Sequence, residues 1–586
     1  MVFFYMDEMP SSAYKFENGG MNRMLSTFNR NEYLEKMAGN PLDLFIIGGG
    51  ITGAGIALDA TVRGLKVGLV DMQDFAGGTS SKSTKLVHGG LRYLKQFEVK
   101  IVAEVGKERA IVYENAPHVT TPEKMMLPIY KGGTFGRFST SLGLKVYDFL
   151  AGVKKEERRV MFSRKETLAK EPLLKKEGLK GSGYYVEYRT DDARLTIEVI
   201  KEASDRGALA VNYAKVEDLI YNQKKKLIGV RVVDRLTKKE YSIFAKKIVN
   251  AAGPWVDTIR ERDHSKKGKH LHLTKGVHIV IDGKRFPMKQ SVYFDTTNGD
   301  KRMLFVIPRE GKVYAGTTDT TYSRWPIDPK PTAEDRDYIL DAINGMFPSV
   351  HLTSDDVESS WAGVRPLIQE EGKSPSEISR KDEIFISRSG LISIAGGKLT
   401  GYRKMAERVV DEVAAQLHRE GGKTYPACRT AHIELSGGHF GGSTHYATYV
   451  QEQKQIGIGL GLTEKEAEEL AKKYGTNIGE LFGYIQMNQE EAKKYQLPPA
   501  LLAAVHYALT HEMILSPVDY FTRRSGMTLF SIQSARKWAQ PVTDYMAEQL
   551  QWSDQQTKEY ARELEAAFNE ASPYETTSDV SETKRV

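Results

Sequence analysis

The stretch DLFIIGGGITGAGIALDATVRGLKVGLVDMQD, residues 43–74, leaves little choice of fold. Residues 44–47 form a short apolar run suited to a buried parallel strand. Gly48-x-Gly50-x-x-Gly53 then opens a segment whose apolar residues Ile56, Ala57 and Ala60 recur at helical spacing. Residues 66–70 read as a second strand ending at Asp71. Gly48 permits the tight turn, Gly50 lets backbone approach a pyrophosphate, and Gly53 lets helix pack on strand, while the helix N-terminus faces the phosphates. Asp71 is placed to accept from a ribose hydroxyl. The unit predicts an open α/β sheet that binds a dinucleotide. NAD and FAD share it, so the choice between them stays open here.

Two later segments extend the same sheet. KKIVNAAGPWVD, residues 246–257, is a strand running into Ala251, Ala252 and Gly253, and LISIAGGKLTGYRKMAERVVDEVAAQL, residues 391–417, is a strand, a Gly396-Gly397 pair and an amphipathic helix. Together they describe one sheet that the chain visits, leaves and re-enters, with glycine junctions at its carboxyl edge where ligands bind. Between the visits, VHIVIDG, KRMLFVIP and KVYAGTTD alternate like strands of an antiparallel sheet. From about residue 420 the pattern turns helical, as in TEKEAEELAKKYG and PPALLAAVHYALTHEMI.

At 586 residues the chain exceeds a single core. The expected fold is α/β plus α+β: an N-terminal extension at 1–39, a discontinuous Rossmann-like dinucleotide-binding region at 40–418, a helical domain at 419–571 and a disordered tail at 572–586. An antiparallel-sheet substrate domain is expected inside the second of these, within about 270–380. Residues 1 to about 30 read as a loose extension, upstream of the natural start.

Composition narrows the function. Lys and Arg number 83 against 76 Asp and Glu, a formal charge of +7. The basic residues are scattered among acids rather than gathered into a stripe, which argues against nucleic acid but admits an acidic substrate or an anionic membrane surface. The one cysteine, Cys428, permits no internal disulfide and reads as a packing residue in a reducing compartment. No segment has the roughly 18 uninterrupted apolar residues of a spanning helix, and the opening MVFFYMDEMP lacks the basic region of a secretory signal. No metal-ligand pattern stands out.

The segment SSKSTKLVHGGLRYL, residues 80–94, crowds hydroxyls, cations, a histidine and a Gly-Gly pair into one stretch. Helix capping explains one or two of those hydroxyls and not the His-Gly-Gly-Leu-Arg-Tyr run. Taken with GGGITGAGIALDA, NAAGPWV, SWAGVRPL and AGGKLTGYRK in that order, it resembles the FAD-dependent glycerol-3-phosphate dehydrogenases of the respiratory type. The resemblance covers roughly residues 40–415, and PVDYFTRRSGMTLF resembles that family's C-terminal domain. Soluble glycerol-3-phosphate oxidases share the motifs, often with a central insertion not seen here, and are the alternative reading.

The resemblance implies FAD as cofactor. It places Thr79, Ser80, Ser81 and Ser83 beside the pyrophosphate and ribityl chain, and Leu86, His88, Gly89 and Gly90 along the isoalloxazine, which His88 does not hold covalently. Gly253, Gly397, Lys398, Leu399 and Thr400 complete the cofactor contacts. Arg92 and Tyr93 would face the substrate, with Arg365, Arg380 and Lys398 as further phosphate-binding cations, because guanidinium forks suit phosphate. Arg365 is the strongest of these, set between a Gly-Val pair and Pro366 in apolar surroundings. His278 is the expected base, with Arg365 or Lys398 stabilising alkoxide charge. The implied reaction oxidises glycerol 3-phosphate at C2 to dihydroxyacetone phosphate, by hydride transfer to flavin N5 and onward transfer to a quinone. A peripheral enzyme at the cytoplasmic face of the membrane is implied, with residues 134–159 the expected interfacial segment. A homodimer is left open.

Overall fold

The computed structural model describes residues 25–88, 99–133, 140–141, 143–145, 158–296, 300, 302–325, 327–370 and 381–572. Its parallel sheet runs Ile392–Ala395, Glu240–Asn250, Leu42–Ile47, Val67–Val70 and Leu209–Val211. Glu383–Ile386 adds an antiparallel edge strand to Ile392–Ala395. Leu42–Ile47 is buried along its whole length, as a strand covered on both faces must be. Helix Ile51–Val62 crosses over between the first two strands of the sequence. A Cβ at Gly53 would lie 1.9 Å from the Gly48 carbonyl oxygen, so the helix reaches its strand only with glycine there. Gly55 does the same for the next layer, where a Cβ would meet the Tyr402 ring of helix Tyr402–Gly421 at 2.9 Å.

Among the described residues the second sheet has ten strands. Its hub, Lys269–Asp282, pairs antiparallel with Lys312–Gly316 and Val357–Glu370, and Met303–Arg309 and Ser291–Asp295 follow. The expected antiparallel strands are present, but the sheet is not confined to 270–380. Leu86–Val87, Thr120–Tyr130, Val160–Ser163 and Leu179–Thr190 also belong to it, and the junction of Ser291–Asp295 with Thr120–Tyr130 is parallel. Pro122 and Pro128 concealed the long strand. They are tolerated because its second neighbour pairs only at Met125 and Met126, leaving much of that edge without a ladder.

The segment expected as an extension is also corrected, for its described part. Helix Arg30–Gly39 packs Tyr33, Leu34 and Met37 into the core of the parallel sheet. Arg30 is buried and donates to the Asn212 and Tyr213 carbonyls and to Asp234. An ion pair across that sequence distance leaves no mark in local hydropathy. Beyond Tyr446 the helices enclose a separate core that includes Leu481, Phe482, Val505, Tyr545 and Phe568. The last helix among the described residues is Asp554–Ala571. The tail expected to be disordered lies, from residue 573 on, outside the described residues.

Candidate active site

A cavity of about 900 Å³ runs from the carboxyl edge of the parallel sheet to the second sheet. At one end lies the N-terminus of helix Ile51–Val62, lined by Gly50, Ile51 and Thr52. Gly50 gives the helix no side-chain cap, and a helix N-terminus of this kind binds anions. Ile51 N–H donates to Ser80 Oγ at 2.9 Å, which seats that hydroxyl beside the cradle. Asp71 accepts from Gly49 N–H (2.7 Å) and Gln73 N–H (2.8 Å), and burial raises its carboxyl to about 6.

Of the hydroxyls expected to face phosphate and ribityl groups, Thr79, Ser80 and Ser83 line the cavity. Thr79 already donates to the Val364 carbonyl (2.8 Å), and Ser83 Oγ accepts from Lys85 N–H. Ser81 is buried and does not line the cavity. The reason is geometric: residues 79–81 make a single helical turn, which sends consecutive side chains in different directions. Lys82 and Thr84, not singled out from sequence, line it instead.

Further along, Leu86, His88, Gly253, Gly397, Lys398, Leu399 and Thr400 all line the same cavity. His88 N–H donates to Thr400 Oγ1 (3.1 Å), and that hydroxyl lies 3.2 Å from the His88 carbonyl, tying the two motif segments together. Burial, reinforced by Lys398, lowers His88 to about 3. Gly363 has room for no side chain, since a Cβ would stand 2.6 Å from the Lys82 carbonyl oxygen.

The far end belongs to the second sheet. His278 is 2% exposed and stacks on Trp361, with centroids 4.7 Å apart and planes 9° apart. On the Gly316 side a Cβ would sit 2.2 Å from the imidazole. Its Nε2 is 3.0 Å from Thr84 Oγ1, and its Nδ1 is buried with no hydrogen-bond partner among the described residues. Burial, then the charges of Arg365 and Lys85, hold His278 well below the ordinary imidazole range, so it is neutral near pH 7. Arg365 donates to Thr317 Oγ1 (2.9 Å) and the Thr318 carbonyl (3.3 Å) and pairs with Asp319 at 3.2 Å, its side chain 34% exposed. Arg302, with Tyr293 and Phe305 stacked 4.0 Å apart, also lines this end and was missed from sequence. Thr317, Thr318 and Asp319 fall in KVYAGTTD, where the strand pattern masked a polar turn.

Gly89, Gly90, Arg92, Tyr93 and Arg380 lie outside the described residues, as does most of 134–159. Among the described residues no cluster of His, Cys, Asp and Glu is arranged for a metal. No helix among them is long and apolar enough to cross a membrane. Cys428 is half-buried beside Thr430 and Arg403, and burial raises its thiol.

The cavity fits FAD. A helix N-terminus without a side-chain cap, the Ser80 hydroxyl and the Asp71 carboxylate supply the kinds of donor and acceptor a dinucleotide needs. A Cβ at Gly253 would meet nothing within 4 Å, so space is open beside that backbone. Residues 43–403 match the family model for FAD-dependent oxidoreductases, and residues 428–557 that for the C-terminal domain of alpha-glycerophosphate oxidase. The chain is 59% identical to the aerobic glycerol-3-phosphate dehydrogenase of Bacillus subtilis over 94% of this chain and 99% of the relative. It is 57% identical to that of Staphylococcus aureus over 93% and 98%. The crystal structure of the glycerol-3-phosphate dehydrogenase from Bacillus halodurans complexed with FAD superposes with a TM-score of 0.81 at 51% identity, covering 93% of this chain and 98% of that one. The alpha-glycerophosphate oxidase of Mycoplasma pneumoniae shares the fold at 17% identity and a TM-score of 0.53, over 67% of this chain and 97% of that one. The chain thus belongs to the FAD-dependent oxidoreductase family, with FAD as its cofactor and aerobic glycerol-3-phosphate dehydrogenases among its relatives.

Proposed function

We propose that the protein oxidises sn-glycerol 3-phosphate at C2 to dihydroxyacetone phosphate at the cytoplasmic face of the cell membrane, as a peripheral dehydrogenase. One observation carries this reading: a buried, neutral imidazole and a guanidinium, His278 and Arg365, share the cavity that holds the glycine cradle. FAD, when bound, supplies the two-electron acceptor for the C2 hydride at N5, with a quinone as onward acceptor.

The chain's own residues do the rest. His278 takes the C2 hydroxyl proton, and a substrate dianion held nearby strengthens its hold on that proton in the complex. Arg365 offers the phosphate a planar fork, already oriented by Thr317 and Asp319. Lys398, in the same cavity, offsets alkoxide charge. The same alcohol chemistry would serve an oxidase. The dehydrogenase is preferred because relatives named so match nearly the whole chain at 57–59% identity, whereas the oxidase structure shares the fold alone.

The test is an anaerobic visible spectrum of the purified holoprotein before and after glycerol 3-phosphate, followed by air or a soluble quinone. Bleaching of the flavin band with fast recovery in quinone and slow recovery in air is expected. Fast recovery in air would make it an oxidase, and no bleaching would discard the substrate.

A further inference from the structure

The loop after strand Val67–Val70 carries Asp71 and then Asp74, which is 1% exposed. The Asp74 carboxylate accepts from Arg524 Nη1 (2.8 Å) and Nη2 (2.9 Å), from Arg523 Nε and from Asn212 Nδ2 (3.0 Å). Both arginines end the π-helical turn Asp519–Arg524 of the C-terminal helical region. Burial alone would raise the Asp74 carboxyl, but Arg524 and Arg523 outweigh it and hold the group ionised.

This loop supports the glycine fingerprint directly. Ala76 N–H donates to the Gly49 carbonyl (3.1 Å), and a Cβ at Gly49 would meet the Phe75 ring at 2.6 Å. A second arm reaches the other side of Ser80. Arg524 Nη2 donates to the Glu512 carbonyl (2.7 Å), and the Glu512 carboxylate takes both Nη groups of Arg194. Arg194 sits on helix Asp192–Asp205, whose first residue accepts from Ser83 N–H (2.9 Å) and Lys85 Nζ (2.7 Å). Residues 512–524 are therefore bonded directly to the segment before Ser80 and, through helix Asp192–Asp205, to the one after it.

Apolar contacts would dock the helices as well, because a buried ion pair adds little net stability. What buried charges add is direction: a fork on a carboxylate fixes the loop that bears it.

We propose that the C-terminal helical domain is a clamp that sets FAD affinity, acting through Arg524 and Asp74 on the phosphate cradle. Linkage makes this reciprocal, so FAD binding must tighten the Glu512–Arg524 segment. The proposal rests on FAD as cofactor and is independent of the substrate.

The experiment uses the full-length chain stripped of FAD. FAD is titrated back by quenching of flavin fluorescence, and hydrogen–deuterium exchange across residues 512–530 is recorded with and without it. In the unmodified protein FAD slows that exchange. In Arg524→Met the FAD Kd rises within the ~5–150-fold range typical of coupled sites, the protection of 512–530 is lost, and turnover returns at saturating FAD. Arg524→Lys restores part of the affinity. Should Arg524→Met fail to fold, Asn212→Ala removes one Asp74 bond and one to the Met513 carbonyl (2.8 Å) with a smaller disturbance, and must raise the Kd in the same direction. An unchanged Kd in the variant that folds, or exchange across 512–530 that ignores FAD in the unmodified chain, overturns the proposal. So does turnover that stays low at saturating FAD, which would mark a purely structural role.

Discussion

Thr84→Val isolates the orientation of His278 from its chemistry. Valine keeps the volume of threonine and removes the Oγ1 that lies 3.0 Å from His278 Nε2. The ring cannot turn to another partner, because Trp361 covers one face and the Gly316 backbone closes the other. The ring is 2% exposed, and among the described residues Nδ1 has no partner that could offset the loss. An unsatisfied buried polar group costs about 1–3 kcal/mol. Where the substituted ring pays in orientation rather than in unfolding, that energy enters the barrier, and about 1.4 kcal/mol is a tenfold loss of rate. Flavin reduction by glycerol 3-phosphate, followed by anaerobic stopped flow, should therefore slow by roughly 10–100-fold. Thr84→Ser should recover most of the rate. A Thr84→Val enzyme that reduces flavin at the unmodified rate would refute both the clamp on His278 and its place as the base.

His278→Ala should retain flavin and lose most turnover, by about 10²–10⁴-fold for a general base; retained flavin is read from the visible spectrum and turnover from dye reduction. Arg365→Ala should chiefly raise the KM for glycerol 3-phosphate, and a variant with unmodified KM would remove Arg365 from phosphate recognition. Gly53→Ala places a Cβ 1.9 Å from backbone, so purified protein should carry little FAD, measured as flavin per chain. His118, buried away from the cavity and lowered by burial to about 4, binds a proton more readily unfolded than folded. Its contribution is fully present above about pH 6.5 and is lost as pH falls from there toward 4. His118→Leu should flatten the pH dependence of stability in that window by about 1.4 kcal/mol per pH unit, as read by denaturant titrations.

Residues 43–74 were enough to specify the parallel sheet and its cradle, because glycine spacing and strand-helix-strand periodicity are local properties that one unit satisfies by itself. The motif segments at 79–88 and 396–400 were likewise legible as lining a cavity, since crowded hydroxyls and paired glycines have little use in a packed core. Sequence did not show that Ser81 turns away while Thr84 turns inward, because a single helical turn and one following residue decide it. Strand Thr120–Tyr130 was hidden by its prolines, which are harmless only where the neighbouring strand is short, a fact of sheet topology. Helix Arg30–Gly39 and the Asp74–Arg524 pair were invisible for the same physical reason: a charge reads as solvent-facing until tertiary structure supplies the opposite charge that lets it be buried.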